Sequence, residues 1–427
     1  MDYTQAVQFH KAITANGSIL GLDSIRALMQ ELGDIWKELK IVHIAGTNGK
    51  GSVCCFLASV FKEAGYRVGQ FNSPAVFHPR EVYQINGSWI SEEEYAECME
   101  EAAAAYDRIC SKGMRPPTVF EVETAVAFLW FYRKKCEIVL LETGMGGSTD
   151  ATNLIQKPLC SVVVSVSMDH MAYLGNSLAE IAKVKAGIIK ENCPVVLAGQ
   201  QEEAEAVLVK RAEELHAPCF FAEEFMDCRM INGILHCCHP EFGMLKVAMQ
   251  GIYQAKNLAA AVRTIQVLKR SGYMISKEQV QKGIASARWP GRFACICKSP
   301  LFYIDGAHNA DGAEKLRESL LAYFPKKRRI GIMGVMADKP YREMLKSLLP
   351  LFEKIYTVTP ENKRAMPAEL LAEEIRMQGG SFVIADTVSE AVRSASKEAE
   401  RLGEDGMVMA FGSLYYLGEV ERAMLEA

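Results

Sequence analysis

Neither sign of charge dominates this sequence, and long apolar runs are missing. The 427 residues carry 48 Lys and Arg against 52 Asp and Glu, a formal net charge of -4, so no general basic field is available for nucleic acid. The short basic run 326–329 fits a solvated loop. The most apolar stretch, 125–132, is too short to cross a bilayer, and no early segment has the pattern of an export signal. We therefore expect a cytoplasmic protein that binds neither nucleic acid nor a membrane.

Zinc-binding cysteine spacings are also missing, although the chain has 13 cysteines. The run 236–239, His-Cys-Cys-His, places adjacent side chains on opposite faces of an extended strand, so it cannot close one tetrahedral shell. The spacing of Cys295 and Cys297 does not fit a zinc knuckle either. We expect ordinary strand residues at both places, and reduced, mostly buried thiols throughout.

Short β-branched runs alternate with helical stretches, which predicts an α/β fold with mainly parallel sheets. The strands expected first are 41–44, 68–71, 138–141, 161–166 and 195–198. Residues 219–250 lose this rhythm and predict a small β excursion. The strands expected in a second, doubly wound series are 301–304, 330–335, 355–358, 382–385 and 407–411. We predict two domains, 1–297 and 298–427.

A glycine-rich loop, AGTNGKG at 45–51, lies between the first expected strand and a helical pattern. Such a loop points backbone N–H groups at one spot, where the helix dipole favours an anion. Lys50 could then bind phosphate, and the Ser52 hydroxyl could bind Mg²⁺. Only Thr47 and Asn48 separate Gly46 from Gly49, where the usual phosphate loop has four residues, so a glycine-rich turn without a ligand is the alternative.

Three further strands are followed by groups suited to a metal ion: Ser73, Glu142 and His170. The carboxyl ends of parallel strands line the ligand crevice of a doubly wound sheet, so we expect these side chains to converge beside the glycine-rich loop. An oxygen-rich shell with one imidazole favours Mg²⁺ or Mn²⁺ over zinc. The alternatives are a helix cap for Ser73, a paired buried acid for Glu142 and a core histidine for His170.

Seven motifs follow one another along nearly the whole chain: GTNGKGS, LETGMGGSTDATN, MDH, KVKAGII, RWPGRF, DGAHNADG and FGSLYYLGEV. In this order they resemble folylpolyglutamate synthase/dihydrofolate synthase, a branch of the Mur ligase superfamily. The resemblance implies an N-terminal P-loop ATPase domain and a C-terminal Rossmann-like domain. It also implies a monomeric ATP-dependent ligase that adds L-glutamate to a folate or to dihydropteroate through an acyl phosphate.

The resemblance implies a set of site residues as well. The residues that would hold ATP are Thr47, Asn48, Gly49, Lys50, Gly51, Ser52, Asn257, Arg292, Asp305 and His308. The ligands of two Mg²⁺ ions would be Ser52, Ser73, Glu142 and His170. The catalytic residues would be Lys50, His170 and Lys185. Lys185, which its amphipathic helix alone would leave facing solvent, matches a lysine that is carbamylated in the family.

Four positions depart from the family pattern: Ala75, Val82, Ser148 and Tyr253. These departures remove imidazole and guanidinium groups that could orient a bound acid. They support a first alternative, a related ligase that joins an amino acid to a different carboxylic acid. The second alternative is a degenerate ATP-binding protein without turnover.

The segment 115–121 resembles the part of the family that faces the pterin, with Phe120 available for stacking. The same residues also fit the start of a helix with Thr118 as its N-cap and no ligand. Both interpretations stay open from the sequence.

Overall fold

The computed structural model describes residues 1–14 and 21–426, and within them the strands form three sheets. The strands are β1 (Ile41–Ala45), β2 (Val68–Phe71), β3 (Tyr83–Ile85), β4 (Ser88–Trp89), β5 (Ile138–Glu142), β6 (Cys160–Val163), β7 (Val195–Leu197), β8 (Cys219–Phe221), β9 (Asp227–Ile231), β10 (Ile234–His239), β11 (Gly243–Val247), β12 (Ala294–Lys298), β13 (Leu301–Ile304), β14 (Arg328–Met333), β15 (Lys354–Thr357), β16 (Phe382–Ile384) and β17 (Gly406–Phe411).

The α-helices lie between and around these strands. They are α1 (Tyr3–Ile13), α2 (Asp23–Glu31), α3 (Lys50–Glu63), α4 (Glu92–Ser111), α5 (Val119–Arg133), α6 (Met171–Leu174), α7 (Leu178–Lys185), α8 (Glu202–Glu214), α9 (Gln254–Arg270), α10 (Lys277–Ser286), α11 (Ala310–Tyr323), α12 (Tyr341–Leu348), α13 (Ala368–Met377), α14 (Val388–Arg401) and α15 (Leu417–Leu425). None of the helices in the described residues is long and apolar enough to span a membrane.

The first sheet has the strand order β4-β3-β2-β5-β1-β6-β7-β8, and its strands are parallel from β2 to β8. Every residue of β1 and β5 is buried, as a parallel sheet covered on both faces requires. Val42 and Ile44 face a core shared with α3, α9 and α10, whereas Ile41 faces a core shared with α4 and α5. The predicted α/β fold is confirmed.

Two details of the first half differ from the prediction. The strand expected at 161–166 ends at Val163, because Ser165 pairs with the glycine-rich loop instead of a neighbouring strand. The excursion expected at 219–250 is divided: β8 extends the first sheet beside β7, and only β9, β10 and β11 form a separate antiparallel sheet.

The second sheet has the strand order β12-β13-β17-β14-β15-β16 and is parallel except for β12. Apolar cores cover both of its faces, as expected for a Rossmann-like domain. The division after residue 297 stays a prediction. However, β12 ends at Lys298 and already pairs with β13, so the second sheet begins before that division.

One cysteine pair differs from the expectation of reduced thiols. Cys228 and Cys237 lie opposite each other on β9 and β10 and form a disulfide bond, because cross-strand neighbours bring their side chains together. The other described cysteines are free. Across residues 1–14 and 21–426, no group of three or more His, Cys, Asp or Glu side chains is arranged to hold a metal ion.

Candidate active site

The glycine-rich loop connects the end of β1 to the N-terminus of α3. Gly49 caps the helix with a φ of +97°, and a Cβ atom there would lie 2.2 Å from the Asn257 Oδ1 atom. Only glycine satisfies both conditions. The first N–H groups of a helix have no intrahelical partner, so the loop runs into a helix end that favours an anion.

Lys50 folds back over this loop. Its Nζ atom donates to the carbonyl oxygens of Gly46 and Thr47, each at 3.2 Å, and lies 3.7 Å from Glu142 Oε1. The ammonium group therefore stands between the loop and the buried carboxylate. This is a position from which it can contact a phosphate group bound by the loop.

Glu142 ends β5 and is buried. Its Oε2 atom accepts a hydrogen bond from Asn72 Nδ2 at 2.6 Å, and the backbone N–H of Ser73 also donates to the carboxylate. Burial raises the pKa of Glu142, while Lys50 and Asn72 act in the opposite direction. Mg²⁺ is commonly held by one or two carboxylates together with phosphate oxygens and water. A single carboxylate beside serine hydroxyl groups fits such an ion when a nucleotide supplies the remaining ligands.

His170 precedes α6 in the left-handed conformation, with a φ of +50°. Burial lowers the pKa of its imidazole to about 4, although Asp169 partly opposes this shift. The ring is therefore neutral at neutral pH, which is the form that binds metal ions. The side chain of His170 is partly exposed, so it is not a core histidine. It lines a cavity between the two domains.

Asp169 joins the two halves of the molecule, a role that the sequence did not reveal. Its carboxylate accepts from Lys339 Nζ at 2.6 Å and from Asn309 Nδ2 at 3.0 Å, and His308 Nε2 lies 3.4 Å away. Burial opposes ionisation of Asp169, but its hydrogen bond to His308 and the neighbouring positive groups hold the pKa well below its usual range. No local sequence pattern indicates these contacts, because the partners are far apart in the chain.

The C-terminal domain also touches the glycine-rich loop directly. Asn48 Nδ2 donates to Asp311 Oδ2 at 2.7 Å and to Asn309 Oδ1 at 3.2 Å. Asn309 is in turn the N-cap of α11, accepting from the Gly312 N–H. The start of α11 therefore covers the loop.

Asp305 follows β13 and is buried beside Arg292. Its Oδ1 atom accepts from the Ala307 N–H at 2.7 Å, and its Oδ2 atom accepts from the Phe293 N–H at 2.8 Å and from the Tyr253 hydroxyl at 3.1 Å. Burial raises the pKa of Asp305, whereas Arg292 acts to lower it. Asp305 is therefore held by residues on both sides of it in the chain, including Tyr253 of the N-terminal half.

The first turn of α9 contacts the glycine-rich loop. Asn257 is buried and donates from Nδ2 to Gln254 Oε1 at 2.9 Å, so it is not a solvent-exposed amide of its helix. Gln254, which the sequence interpretation missed, donates from Nε2 to Ser52 Oγ at 3.3 Å. A polar residue one turn before Asn257 was the available signal.

Lys185 is buried below the loop and does not face solvent, whereas Lys183 on the same helix is exposed. The side chain of Lys185 donates from Nζ to the Gly46 carbonyl at 2.8 Å. Burial, and then the nearby Lys50, lower its pKa to about 7. The helical pattern could not show this, because the covering group is a loop from another part of the chain.

One cavity between the two domains, the central cavity, brings together the site residues that the sequence predicted. It is lined by Thr47, Asn48, Gly49, Lys50, Gly51, Ser52, Ser73, Glu142, His170, Lys185, Asn257, Arg292, Asp305 and His308. Their roles in ligand binding stay predictions, and so does the choice between a phosphate-binding loop and a glycine-rich turn without a ligand.

A second cavity meets the first at Ser73, Glu142 and Arg292. The side chains that line it include Phe77, Val82, Trp89, Arg288 and Trp289. It therefore combines flat aromatic surfaces with two arginine side chains, of which Arg292 lies near the carboxylate of Glu142.

The segment 115–121 forms a helix start. Thr118 and Glu121 make a capping box at the N-terminus of α5, which confirms the N-cap interpretation. The ring of Phe120 stacks on Phe71, with ring centroids 6.0 Å apart, and packs closely over Gly144. A stacking role toward a ligand stays a prediction.

Comparisons with known proteins identify related sequences along most of the chain. Residues 44–265 match the Mur ligase middle domain, and residues 291–414 match the Mur ligase glutamate ligase domain. The dihydrofolate synthase/folylpolyglutamate synthase of Bacillus subtilis is 34% identical over 95% of each chain. The folylpolyglutamate synthase of Lacticaseibacillus casei is 29% identical over 100% of this chain and 99% of its own.

Solved structures show the same architecture. Mycobacterium tuberculosis folylpolyglutamate synthase, solved with ADP and AMPPCP, superposes with a TM-score of 0.90 at 27% identity and 99% coverage of both chains. Escherichia coli FolC, solved with DHPP and ADP, superposes with a TM-score of 0.85 at 26% identity, covering 99% of this chain and 98% of its own.

Proposed function

Because this chain belongs to the folylpolyglutamate synthase/dihydrofolate synthase branch of the Mur ligases, we propose that ATP binds in the cavity between its two domains. The chain is an ATP-dependent ligase that adds L-glutamate to a folate. One observation supports the placement of ATP: the glycine-rich loop, Glu142 of the first sheet and Asp305 of the C-terminal domain line one cavity.

In the proposed reaction, the γ-phosphoryl group of ATP passes to the carboxylate of the acid. This step releases ADP and forms an acyl phosphate. The amine of glutamate then attacks the acyl carbon, the C–O bond to phosphate breaks, and the amine gives up one proton as the amide forms. Phosphoryl transfer depends on positioned positive charge, which Lys50 and the N–H groups at the start of α3 provide. Mg²⁺ bound by Glu142, His170, Ser52 and Ser73 would neutralise phosphate charge.

We assign the second cavity to the acid acceptor. Its junction with the first cavity, at Ser73 and Glu142, lets a carboxylate reach the γ-phosphate while the rest of the acid stays outside. Trp89 and Trp289 offer flat surfaces for a pterin ring, and Arg288 offers a carboxylate partner. A folate or dihydropteroate fits this chemistry.

The four departures from the family pattern leave the tryptophan and arginine side chains of the second cavity in place. Ala75 packs against the N-terminal core, and Ser148 packs tightly against Gly187. Val82 lines the second cavity, and Tyr253 lines the first. The similarity to folylpolyglutamate and dihydrofolate synthases favours the folate assignment over a ligase for a different acid.

ADP release by the purified protein with Mg²⁺-ATP and glutamate tests this proposal. Dihydropteroate, tetrahydrofolate and a sample without acid are compared, and the amide product is identified by mass. Stimulation by either pterin acid, with the matching amide, supports the assignment and shows which step the enzyme catalyses. ADP release that neither acid stimulates would contradict it.

We also propose that Lys185 is carbamylated. The Nζ lone pair attacks the carbon of CO₂, an N–C bond forms, and one amine proton passes to solvent, which leaves an anionic carbamate. The pKa of about 7 supports this step, because much of the buried amine is then neutral at neutral pH. Protein equilibrated with ¹³C-bicarbonate should show a carbamate ¹³C signal that Lys185→Met lacks, and its absence from the wild type would refute the proposal.

Two bound Mg²⁺ ions, a monomeric state and a cytoplasmic location stay predictions. Equilibrium dialysis of Mg²⁺ in the presence of AMPPCP measures the first, and sedimentation equilibrium measures the second.

A further inference from the structure

Tyr253 lies between the glycine-rich loop (the proposed phosphate loop) and the C-terminal domain. Its ring packs against the C-terminal core, and its hydroxyl group donates to Asp305 Oδ2 at 3.1 Å. The residue after it, Gln254, donates to Ser52, and Asn257 faces Gly49. One short segment at the start of α9 therefore contacts both the loop and Asp305.

The hydrogen bonds of Asp305 show what the Tyr253 hydroxyl does. The Oδ2 atom accepts two hydrogen bonds, from Phe293 and Tyr253, which is the capacity of a carboxylate oxygen. The Oδ1 atom accepts one, from the Ala307 N–H. The remaining acceptor position of the carboxylate therefore lies at Oδ1, and Asp305 lines the central cavity.

We propose that Tyr253 is a positioning residue for nucleotide binding, because its hydroxyl group fixes Asp305 and connects the C-terminal domain to the helix turn that contacts the phosphate loop. This inference rests on the proposed binding of ATP in the central cavity. Tyr253 does not itself need to touch the nucleotide.

A matched control is available in the same region. Tyr303 on β13 is a buried phenol whose hydroxyl group donates to Gln250 Oε1 at 2.8 Å, just before the segment that carries Tyr253. Tyr303→Phe therefore also removes one buried hydroxyl group between the two halves of the chain, but it leaves the hydrogen bonds of Asp305 intact. Both substitutions keep the aromatic ring and hence the packing.

The experiment measures the Kd of Mg²⁺-ATP by calorimetry, together with the KM for ATP, kcat and thermal unfolding. Tyr253→Phe should raise Kd and KM for ATP about tenfold, the range expected for a hydrogen bond to a charged group, with kcat at saturating ATP nearly unchanged. Tyr303→Phe should leave Kd within about twofold of the wild-type value. The two variants should lower the unfolding temperature by similar amounts, because each loses one buried hydrogen bond.

Equal Kd values for Tyr253→Phe and the wild type would overturn the inference, and so would equal weakening by both variants. Failure of the wild type to bind ATP would instead overturn the proposed placement of the nucleotide. A double-mutant cycle with Asp305→Asn gives a second measurement. Tyr253→Phe should raise the Kd for ATP by a smaller factor in the Asp305→Asn background than in the wild type. An unchanged factor would show that Tyr253 acts elsewhere.

Discussion

Lys50 and Lys185 lie on either side of one loop, and both donate a hydrogen bond to the Gly46 carbonyl. Their charges repel each other, and only Lys185 is fully buried, so burial and then Lys50 lower the pKa of Lys185 to about 7. The two lysines therefore have different chemistry. Lys50 contacts the buried carboxylate of Glu142, and Lys185 provides an amine that is neutral for much of the time at neutral pH.

Replacing Lys50 removes the cation nearest to the proposed phosphate site. Lys50→Ala should lower kcat/KM for ATP at least about 100-fold, a typical loss when a group that stabilises transition-state charge is deleted. ADP release under saturating glutamate and folate measures it. Lys62→Ala, an exposed lysine of the same helix, is the control and should keep normal turnover. Normal turnover by Lys50→Ala would contradict the assignment of the loop.

The pKa of Lys185 predicts a specific pH dependence of stability. The unfolded chain keeps a lysine protonated up to about pH 10.4, whereas the folded protein releases the proton near pH 7. Unfolding therefore takes up a proton between these values. Relative to Lys185→Met, the wild-type free energy of unfolding should rise by up to about 1.4 kcal/mol per pH unit above pH 7 and be level below it.

Urea unfolding in CO₂-free buffers between pH 6 and 9 measures this difference. Lys183→Met changes the exposed lysine of the same helix and should show no such slope. A pH-independent difference between the wild type and Lys185→Met would contradict the lowered pKa.

The sequence revealed more about residues that follow strands than about residues on helices. Ser73 and Glu142 were identified because strand ends in a parallel sheet face one crevice. Gln254 was missed, because its partner Ser52 is brought near only by the packing of α9 on α3. The burial of Lys185 was missed for a similar reason.

At the scale of elements, the segment 287–293, between α10 and β12, packs directly on the glycine-rich loop. A Cβ atom on Gly51 would lie 2.8 Å from the Trp289 Nε1 atom, so the first turn of α3 and this segment fit closely. Strand positions were predictable because buried parallel strands are continuous apolar runs. The pairing of β12 with the second sheet was not, because antiparallel edge pairing depends on partners and not on the run itself.

The contact between Gly51 and Trp289 gives a prediction at this scale. Gly51→Ala forces the indole or the helix start to move, and it should weaken Mg²⁺-ATP binding about tenfold, in line with the cost of overpacking. The added variant Trp289→Leu removes the obstructing ring, so the double variant should bind ATP better than Gly51→Ala alone. Calorimetric titration of both proteins checks this, and a double variant no better than the single one would argue against the packing explanation.

At the scale of the whole molecule, a buried ion pair joins the two domains. Asp169 and Lys339 are 2.6 Å apart, and their side chains are only 6% and 8% exposed. No sequence pattern predicts which charges meet across a domain interface, because domain orientation decides it. The sequence therefore predicted both domains but not the polar contacts that hold them together.

Removing Lys339 leaves the buried carboxylate of Asp169 without its cation. Lys339→Met should destabilise the closed arrangement by about 3–5 kcal/mol, the usual cost of breaking a buried pair from one side. Small-angle scattering should then give a larger radius of gyration, and the KM for ATP should rise. Lys346→Met, an exposed lysine on α12, is the control. Unchanged scattering by Lys339→Met would show that the ion pair does not hold the domains together.

The contact of Asn48 with the start of α11 has a consequence for the economy of the reaction. An acyl phosphate that meets bulk water is hydrolysed, and one ATP is then lost without a product. If the phosphoryl group is transferred beside the glycine-rich loop, as proposed, the contact of Asn48 with Asp311 and Asn309 would keep water from the intermediate. The same contact would then have to open before ADP leaves, so protection of the acyl phosphate would come with slower release of product.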